Sequence, residues 1–284
     1  MNFFLNRYKQ LGQEIDPEEC ILKHSIRVNT LKIQEEKLIK RLEKRKIKLS
    51  KIPWLDHGYY VESEFSIGST QEYLQGYYYI QEAAAQVPAQ ILKPTEKDLT
   101  LDMCAAPGGK TTQLAQYMNN KGNLIALDNH KLRLTALRNN LERLSIKNTI
   151  IYNQDAKYLL ALNAKFDKIL LDAPCSGNFC RDNNWFEKRT IQGVKEKVKI
   201  QKDLLKSAKT ALKENGTLVY STCSLEPEEN EEVVEWAIDE LGLKLEKINL
   251  DIGSPGLTEK TSKCIRFWPN LTGTEGFFIA KFTK

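Results

Sequence analysis

Leu101-Asp102-Met103-Cys104-Ala105-Ala106-Pro107-Gly108-Gly109-Lys110-Thr111-Thr112 reads as a strand end, a tight turn of small residues and a helix start. Small residues let a backbone approach a ligand closely, and a helix amino end favours negative charge. The flanking sequence repeats the rhythm. Strands are predicted at Leu99–Asp102, Asn123–Asp128, Thr149–Tyr152, Phe166–Asp172 and Thr217–Ser221, with a last one at Gly276–Phe282. Helices are predicted between them, near Ala83–Leu92, Thr111–Met118, His130–Leu144, Lys195–Lys213 and Pro227–Leu241. Such alternation predicts an α/β fold with a doubly wound, mainly parallel sheet.

Two kinds of nucleotide-like ligand compete for the turn. A phosphate loop needs Gly-x-x-x-x-Gly-Lys-Thr. Gly109-Lys110-Thr111 fits its end, but Cys104 stands at the leading glycine position, and the loop is short and apolar for a triphosphate. An adenosine-type cofactor without phosphate fits better. Asp128 closes the second strand 20 residues after Gly108, the place for an acid that grips ribose hydroxyls. Asp155 closes the third strand and suits an adenine amine, while Lys110 suits a carboxylate such as the methionine end of S-adenosylmethionine. The Gly-x-Gly-x-x-Gly of a dinucleotide site is absent.

In an open α/β sheet, chemistry gathers at the carboxyl ends of the strands. Two further strand ends carry cysteine: Asp172-Ala173-Pro174-Cys175-Ser176-Gly177 and Ser221-Thr222-Cys223-Ser224. Taken singly, each thiol reads as a small buried hydrophobe; as a pair they point to sulfur chemistry. No two of the six cysteines have Cys-x-x-Cys spacing and there are three histidines, so no metal site is expected. Met1–Arg7 holds no sustained apolar run, so neither an export signal nor a membrane span is expected there. Reduced thiols in a cytoplasm follow.

The chain of 284 residues is 41% hydrophobic and 28% charged, an ordinary globular composition. Its net charge of +5 is a weak signal, but Lys37–Lys51 holds eight basic residues against the one acid Glu43. That run is either a solvated helix face or a phosphate-binding surface. Residues 1–75 are expected to form a small amino-terminal α/β unit, and 76–284 the larger α/β unit. Within the first, Asp16-Pro17-Glu18-Glu19 predicts a helix start, Ser25–Leu31 a strand, Glu35–Lys46 a basic amphipathic helix and Gly58–Phe65 a strand.

The three motifs together resemble the Sun/Fmu-type RNA cytosine-C5 methyltransferases. Arg27–Lys32, Gln81–Gln86 and Gly276–Ala280 support the resemblance, which runs from about residue 20 onward. It implies S-adenosylmethionine as methyl donor and a Rossmann-like methyltransferase domain. It places Cys104, Ala105, Ala106, Pro107, Gly108, Gly109 and Lys110 along the methionine and ribose, with Asp128 on the ribose, Asp155 on the adenine and Arg133 beside them. Asp172 would face both cofactor and target base, Cys223 would attack the base, and Cys175 would serve product release. A helix starting near Pro227 is one source of positive potential for the Cys223 thiolate. Two departures stand out. Asn270 follows Arg266-Phe267-Trp268-Pro269 where the family often has histidine, and Ala85 stands where serine is common.

A monomer acting on RNA is expected. Arg27, Lys32 and the Lys37–Lys51 run would meet phosphates, and Tyr59, Tyr60, Tyr77, Tyr78, Tyr79 and Trp185 are candidates for stacking. The short amino-terminal unit fits a compact structured RNA, tRNA first and ribosomal RNA second. A catalytically silent RNA-binding protein on the same scaffold and a small-molecule methyltransferase are the other readings.

Overall fold

Strands buried on both faces need apolar residues in both directions, and Lys168-Ile169-Leu170-Leu171 and Leu218-Val219-Tyr220 supply them. The computed structural model describes residues 2–182 and 184–284. In chain order its elements are α1 (Phe3–Gln10), β1 (Ser25–Val28), α2 (Glu35–Glu43), β2 (Lys48–Lys51), β3 (Gly58–Glu62), α3 (Gln71–Leu74), β4 (Tyr78–Ile80), α4 (Ala83–Leu92), β5 (Leu99–Asp102), α5 (Gly109–Tyr117), β6 (Asn123–Asp128) and α6 (Lys131–Arg143). There follow β7 (Thr149–Asn153), β8 (Phe166–Asp172), α7 (Trp185–Lys188), α8 (Ile191–Ala211), β9 (Leu212–Thr222), α9 (Glu231–Leu241), β10 (Lys244–Glu246), β11 (Ile265–Phe267), α10 (Pro269–Thr272) and β12 (Phe277–Thr283).

The larger sheet has the order β10-β12-β9-β8-β5-β6-β7, with β11 also paired to β12. Strands β9, β8, β5, β6 and β7 are parallel and β12 is antiparallel to β9. Alternate residues face opposite layers. Leu101, Ile169, Leu171, Leu218 and Tyr220 join one apolar cluster with α8 and α9, whereas Leu124, Leu170 and Val219 join another with α4 and α5. The expected doubly wound, mainly parallel sheet is therefore present. Among the described residues no helix is long and apolar enough to cross a membrane.

The smaller sheet is antiparallel, in the order β2-β3-β1-β4. It departs from the sequence reading in several places. It includes β4 and so runs past the 75/76 division expected from the sequence. The helix expected at Asp16 is only a turn, in which the Asp16 carboxylate accepts from the Glu18 amide at 3.0 Å. The helix that does form, α1, starts at Asn2, whose side chain accepts from the Phe4 and Leu5 amides. Residues 3–8 pack not on the smaller sheet but on the other unit: Phe4 and Tyr8 are buried with Trp185, Leu225 and Trp268. Tyr8 donates to Glu226 at 2.7 Å, and Arg7 donates to both Glu228 oxygens at 2.7 Å.

That burial has a measurable consequence. Phe4 is 3% exposed and its neighbour Phe3 is 56% exposed. Phe4→Ala is expected to lower unfolding free energy by about 3–5 kcal/mol in urea titrations, and Phe3→Ala by less than about 1. Equal losses would contradict the docking of α1.

Candidate active site

The 102–110 turn is held by three strand ends. The Met103 amide donates to the Leu170 carbonyl at 3.0 Å and the Ala105 amide to the Leu127 carbonyl at 2.8 Å. The Ala106 amide donates to Asp128 at 3.2 Å. Thr111, at the start of α5, donates to Asp102 at 2.7 Å. The Ala106–Pro107 peptide is cis, and Gly108 has φ +107°. A side chain at Gly108 would be strained, and its Cβ would stand 2.9 Å from Leu137 Cδ1.

Two cavities open on either side of this turn. One, of about 120 Å³, is lined by Met103, Cys104, Asp128, Arg133, Asp155 and Ile200 among others. Asp128 is buried; it accepts from the Ala106 and His130 amides, and Arg133 lies 3.6 Å away. The Arg133 guanidinium also donates to the Ala106 carbonyl. Asp155 is half-buried and accepts from the Lys157 amide at 2.9 Å. The other cavity, of about 210 Å³, is lined by Tyr79, Ile80, Glu82, Cys104, Lys110, Asp172 and Arg181 among others. Cys104 lines both, so it forms part of the wall between them.

The second cavity adjoins the two cysteine strand ends. Strand β8 pairs with β9 in the register Asp172↔Ser221, and the Ala173 amide continues the ladder to the Ser221 carbonyl at 2.8 Å. Cys175 Sγ lies 3.2 Å from Cys223 Sγ. Asp172 accepts from Lys110 Nζ at 2.7 Å on one oxygen and from Ser221 Oγ at 2.8 Å on the other. Lys110, expected to meet a cofactor carboxylate, is thus committed to Asp172. Burial works against the Lys110 charge, but Asp172 outweighs it and raises the pKa.

The two thiols differ. The hydrogen bond from Cys175 lowers the Cys223 pKa; burial and Asp172 oppose it, and Arg181 and Lys110 lower it further. The same bond raises Cys175 well above the ordinary thiol value, with burial and the Glu229 charge adding to it. The hydrogen bond and, after it, the cations therefore favour Cys223 as thiolate and leave Cys175 as the S–H donor. The helix expected at Pro227 begins only at Glu231, and the preceding turn uses Asn230 to hold Thr222 and Ser224.

Arg181 is a residue that motif reading missed. Its guanidinium donates to Glu275 at 2.8 Å, and the Glu275 amide donates to Glu82, whose other oxygen caps α4 at the Ala84 amide. Burial raises Glu82, and burial with Glu82 raises Glu275 well above the ordinary value. Burial also pushes Asp102 up to about 7, with Asp172 contributing. Asn178 was missed too: it donates to the Cys223 carbonyl at 2.8 Å and the Gly276 carbonyl at 3.1 Å. The positions of Asn178 and Arg181, three and six residues after Cys175, were the only hint at either role.

Other expected contacts move elsewhere. Arg27, expected to meet phosphate, is 1% exposed and donates to the Gly109 carbonyl at 2.8 Å and Thr112 at 2.7 Å. Arg41 and Arg45 sit on Glu72. Lys37, Lys40, Lys44, Lys46 and Lys48 are exposed. Tyr59, Tyr78 and Trp185 are buried and cannot stack on a base, whereas Tyr60, Tyr77 and Tyr79 are half-exposed.

Comparison with known proteins identifies the family. A family model described as 16S rRNA methyltransferase RsmB/F matches residues 89–283, and one described as the N-terminal domain of 16S rRNA methyltransferase RsmF matches residues 3–83. A tRNA (cytosine(72)-C(5))-methyltransferase of Pyrococcus horikoshii is 43% identical over 219 residues, 77% of this chain and 55% of its own length. Ribosomal RNA small subunit methyltransferase F of Vibrio parahaemolyticus is 39% identical over 277 residues, 93% of this chain and 57% of its own length. The chain thus spans just over half the length of these curated relatives. Among solved structures, a methyltransferase homolog protein from Pyrococcus horikoshii matches with TM-score 0.86 and 41% identity, covering 94% of this chain and 88% of its own. The structure of NSun6 from the same organism with SFG matches with TM-score 0.90 and 31% identity, covering 98% of this chain and 97% of its own. The chain belongs to the RsmB/F methyltransferase family.

Proposed function

We propose that the chain methylates C5 of cytosine in RNA, with tRNA as substrate and S-adenosylmethionine as donor. The observation that carries this is the pair of sulfurs 3.2 Å apart at two adjacent strand ends, beside a Lys110–Asp172 pair and across Cys104 from an acid-lined cavity.

The smaller cavity suits the donor. Asp128 and Asp155 would hold the ribose and the adenine, Gly108 lets the turn close against Leu137 of α6, and Arg133 braces the turn at Ala106. When bound, S-adenosylmethionine supplies the electrophilic methyl group that C5 takes up.

The chain's own residues make C5 nucleophilic. The Cys223 thiolate adds to C6, which gives the ring enamine character at C5. N3 takes a proton as that bond forms, the one Cys175 holds in the resting pair passing there through solvent, and the Asp172 carboxylate, anchored by Lys110, accepts from N3–H and from the exocyclic amine. Cys175, left as a thiolate by that transfer, takes the C5 proton once the methyl group is on C5; cleavage of the Cys223–C6 bond returns its electron pair to Cys223, the N3 proton leaves to solvent, and the methylated base is released. The environment that raises the Cys175 pKa makes its thiolate a strong base.

We assign RNA binding to the amino-terminal unit, through the exposed lysines of 37–48; such contacts position a substrate without reading its sequence. The similarity to a tRNA methyltransferase at 43% identity supports tRNA. Ribosomal RNA is the second reading, supported by relatives named for it at 38–39% identity. All six cysteines are free, which suits a reducing cytoplasm, and we propose that the enzyme works there as a monomer. Bisulfite sequencing of total RNA incubated with the enzyme and donor tests the proposal. New protection at a tRNA cytosine is expected, protection confined to ribosomal RNA would favour the second reading, and none would overturn both.

Two outcomes follow for the thiols. Cys175→Ala is expected to accumulate a denaturant-resistant protein–RNA adduct on gels and Cys223→Ala to form none; the reverse pattern would exchange their roles. A thiol with a lowered pKa ionises at lower pH, so alkylation of Cys223 by iodoacetamide should reach half its maximal rate at a lower pH in the folded chain than in the urea-unfolded one. Arg181→Met removes a cation and should move that midpoint to higher pH. An unmoved midpoint would rule out Arg181 as a stabilising charge.

A further inference from the structure

A second cleft opens against the active-site cavity. It has a volume of about 440 Å³ and is lined by His24, Val61, Ser63, Glu64, Phe65, Ser66, Ile67 and Ile80. Ile80, the last residue of β4, also lines the cavity that holds Lys110, Asp172 and Arg181. The two spaces are therefore separated by about the width of one side chain. The cleft presents two large apolar side chains to solvent, Phe65 at 47% and Ile80 at 37% exposed. Phe65 is held in place by its backbone: its amide donates to Ser63 Oγ, and Ser63 Oγ donates back to the Phe65 carbonyl at 2.9 Å.

We propose that this cleft is a subsite for the nucleobase adjacent to the target cytosine. The inference rests on the RNA methyltransferase reading above and deepens it. A cytosine turned into the catalytic cavity leaves its neighbour unstacked at the mouth. The adjoining space offers that neighbour an aromatic face at Phe65 and an aliphatic one at Ile80. The polar groups of the cleft suit a base edge rather than a phosphate. Glu64 repels a phosphate but accepts from the amino group of a base, and Ser63, Ser66 and His24 can donate or accept. A phosphate subsite would carry lysine or arginine among its lining residues, and this cleft has neither. Stacking on an exposed aromatic contributes about 1–3 kcal/mol per base, which corresponds to about 5- to 150-fold in affinity.

The test uses the full chain and three RNAs: an intact substrate and two copies with an abasic nucleotide on the 5′ or the 3′ side of the target. Phe65→Ala should raise KM on the intact RNA about 5- to 150-fold with little change in kcat. It should have little further effect on one of the abasic RNAs, because the stacking partner is already missing. Phe65→Trp should retain wild-type KM, and melting temperatures check that both variants fold. Equal losses on all three RNAs, or no loss on the intact one, would overturn the subsite while leaving the methyltransferase reading intact. A wild type inactive on every RNA would overturn that reading and the subsite with it.

Discussion

The parallel pairing of β8 with β9 is the constraint on which the site depends. Its register sets Asp172 opposite Ser221 and carries the ladder one residue further, to Ala173. Both chains then leave the sheet side by side, and Cys175 and Cys223 meet at 3.2 Å. Strand side chains alternate with a period of two, so a one-residue slip would turn Leu170 and Val219 to the wrong apolar layer and separate the sulfurs. The same burial that stabilises the sheet thus fixes the spacing of the thiols. Asn178 bridges the Cys223 and Gly276 carbonyls and ties the Cys175 loop to both.

The hydrogen bond that Cys175 donates to Cys223 distinguishes the two thiols first, and the surrounding charges act with it. Cys223 feels Lys110 and Arg181, whereas Cys175 feels Glu229. Each of those cations is anchored by an acid, Lys110 on Asp172 and Arg181 on Glu275. The anchoring acids bring their own negative charge close to the thiol, and Asp172 opposes its ionisation. The lowered pKa of Cys223 is therefore a balance, in which the hydrogen bond from Cys175 is the largest contribution.

Much of this was legible in the sequence because parallel strands are short, apolar and followed at once by their functional residues. The doubly wound sheet and the strand ends at Asp102, Asp128 and Asp172 follow from that pattern, and the strand expected to end at Ser221 runs one residue further, to Thr222. Side-chain partners were less legible. Arg27 stands in an alternating strand where a charge reads as solvent-facing, yet it is buried against Gly109 and Thr112 of α5. Strand β2, Lys48-Leu49-Ser50-Lys51, escaped notice because an edge strand carries lysine rather than an apolar stripe. Asp16 caps a turn as readily as a helix, and no periodicity in the sequence around it distinguishes the two. Arg181 and Glu275 are 94 residues apart and meet only because the Cys175 loop returns to the start of β12.

The central claim is that sulfur at residue 223 bonds to a pyrimidine ring. An RNA carrying 5-fluorocytosine at the target tests it most directly, since fluorine at C5 cannot leave as a proton and the covalent intermediate persists. Protease digestion and mass spectrometry of the trapped complex should find the nucleotide on the peptide containing Cys223, with one added methyl group. Attachment at Cys175, or no attachment while ordinary RNA is still methylated, would contradict the account.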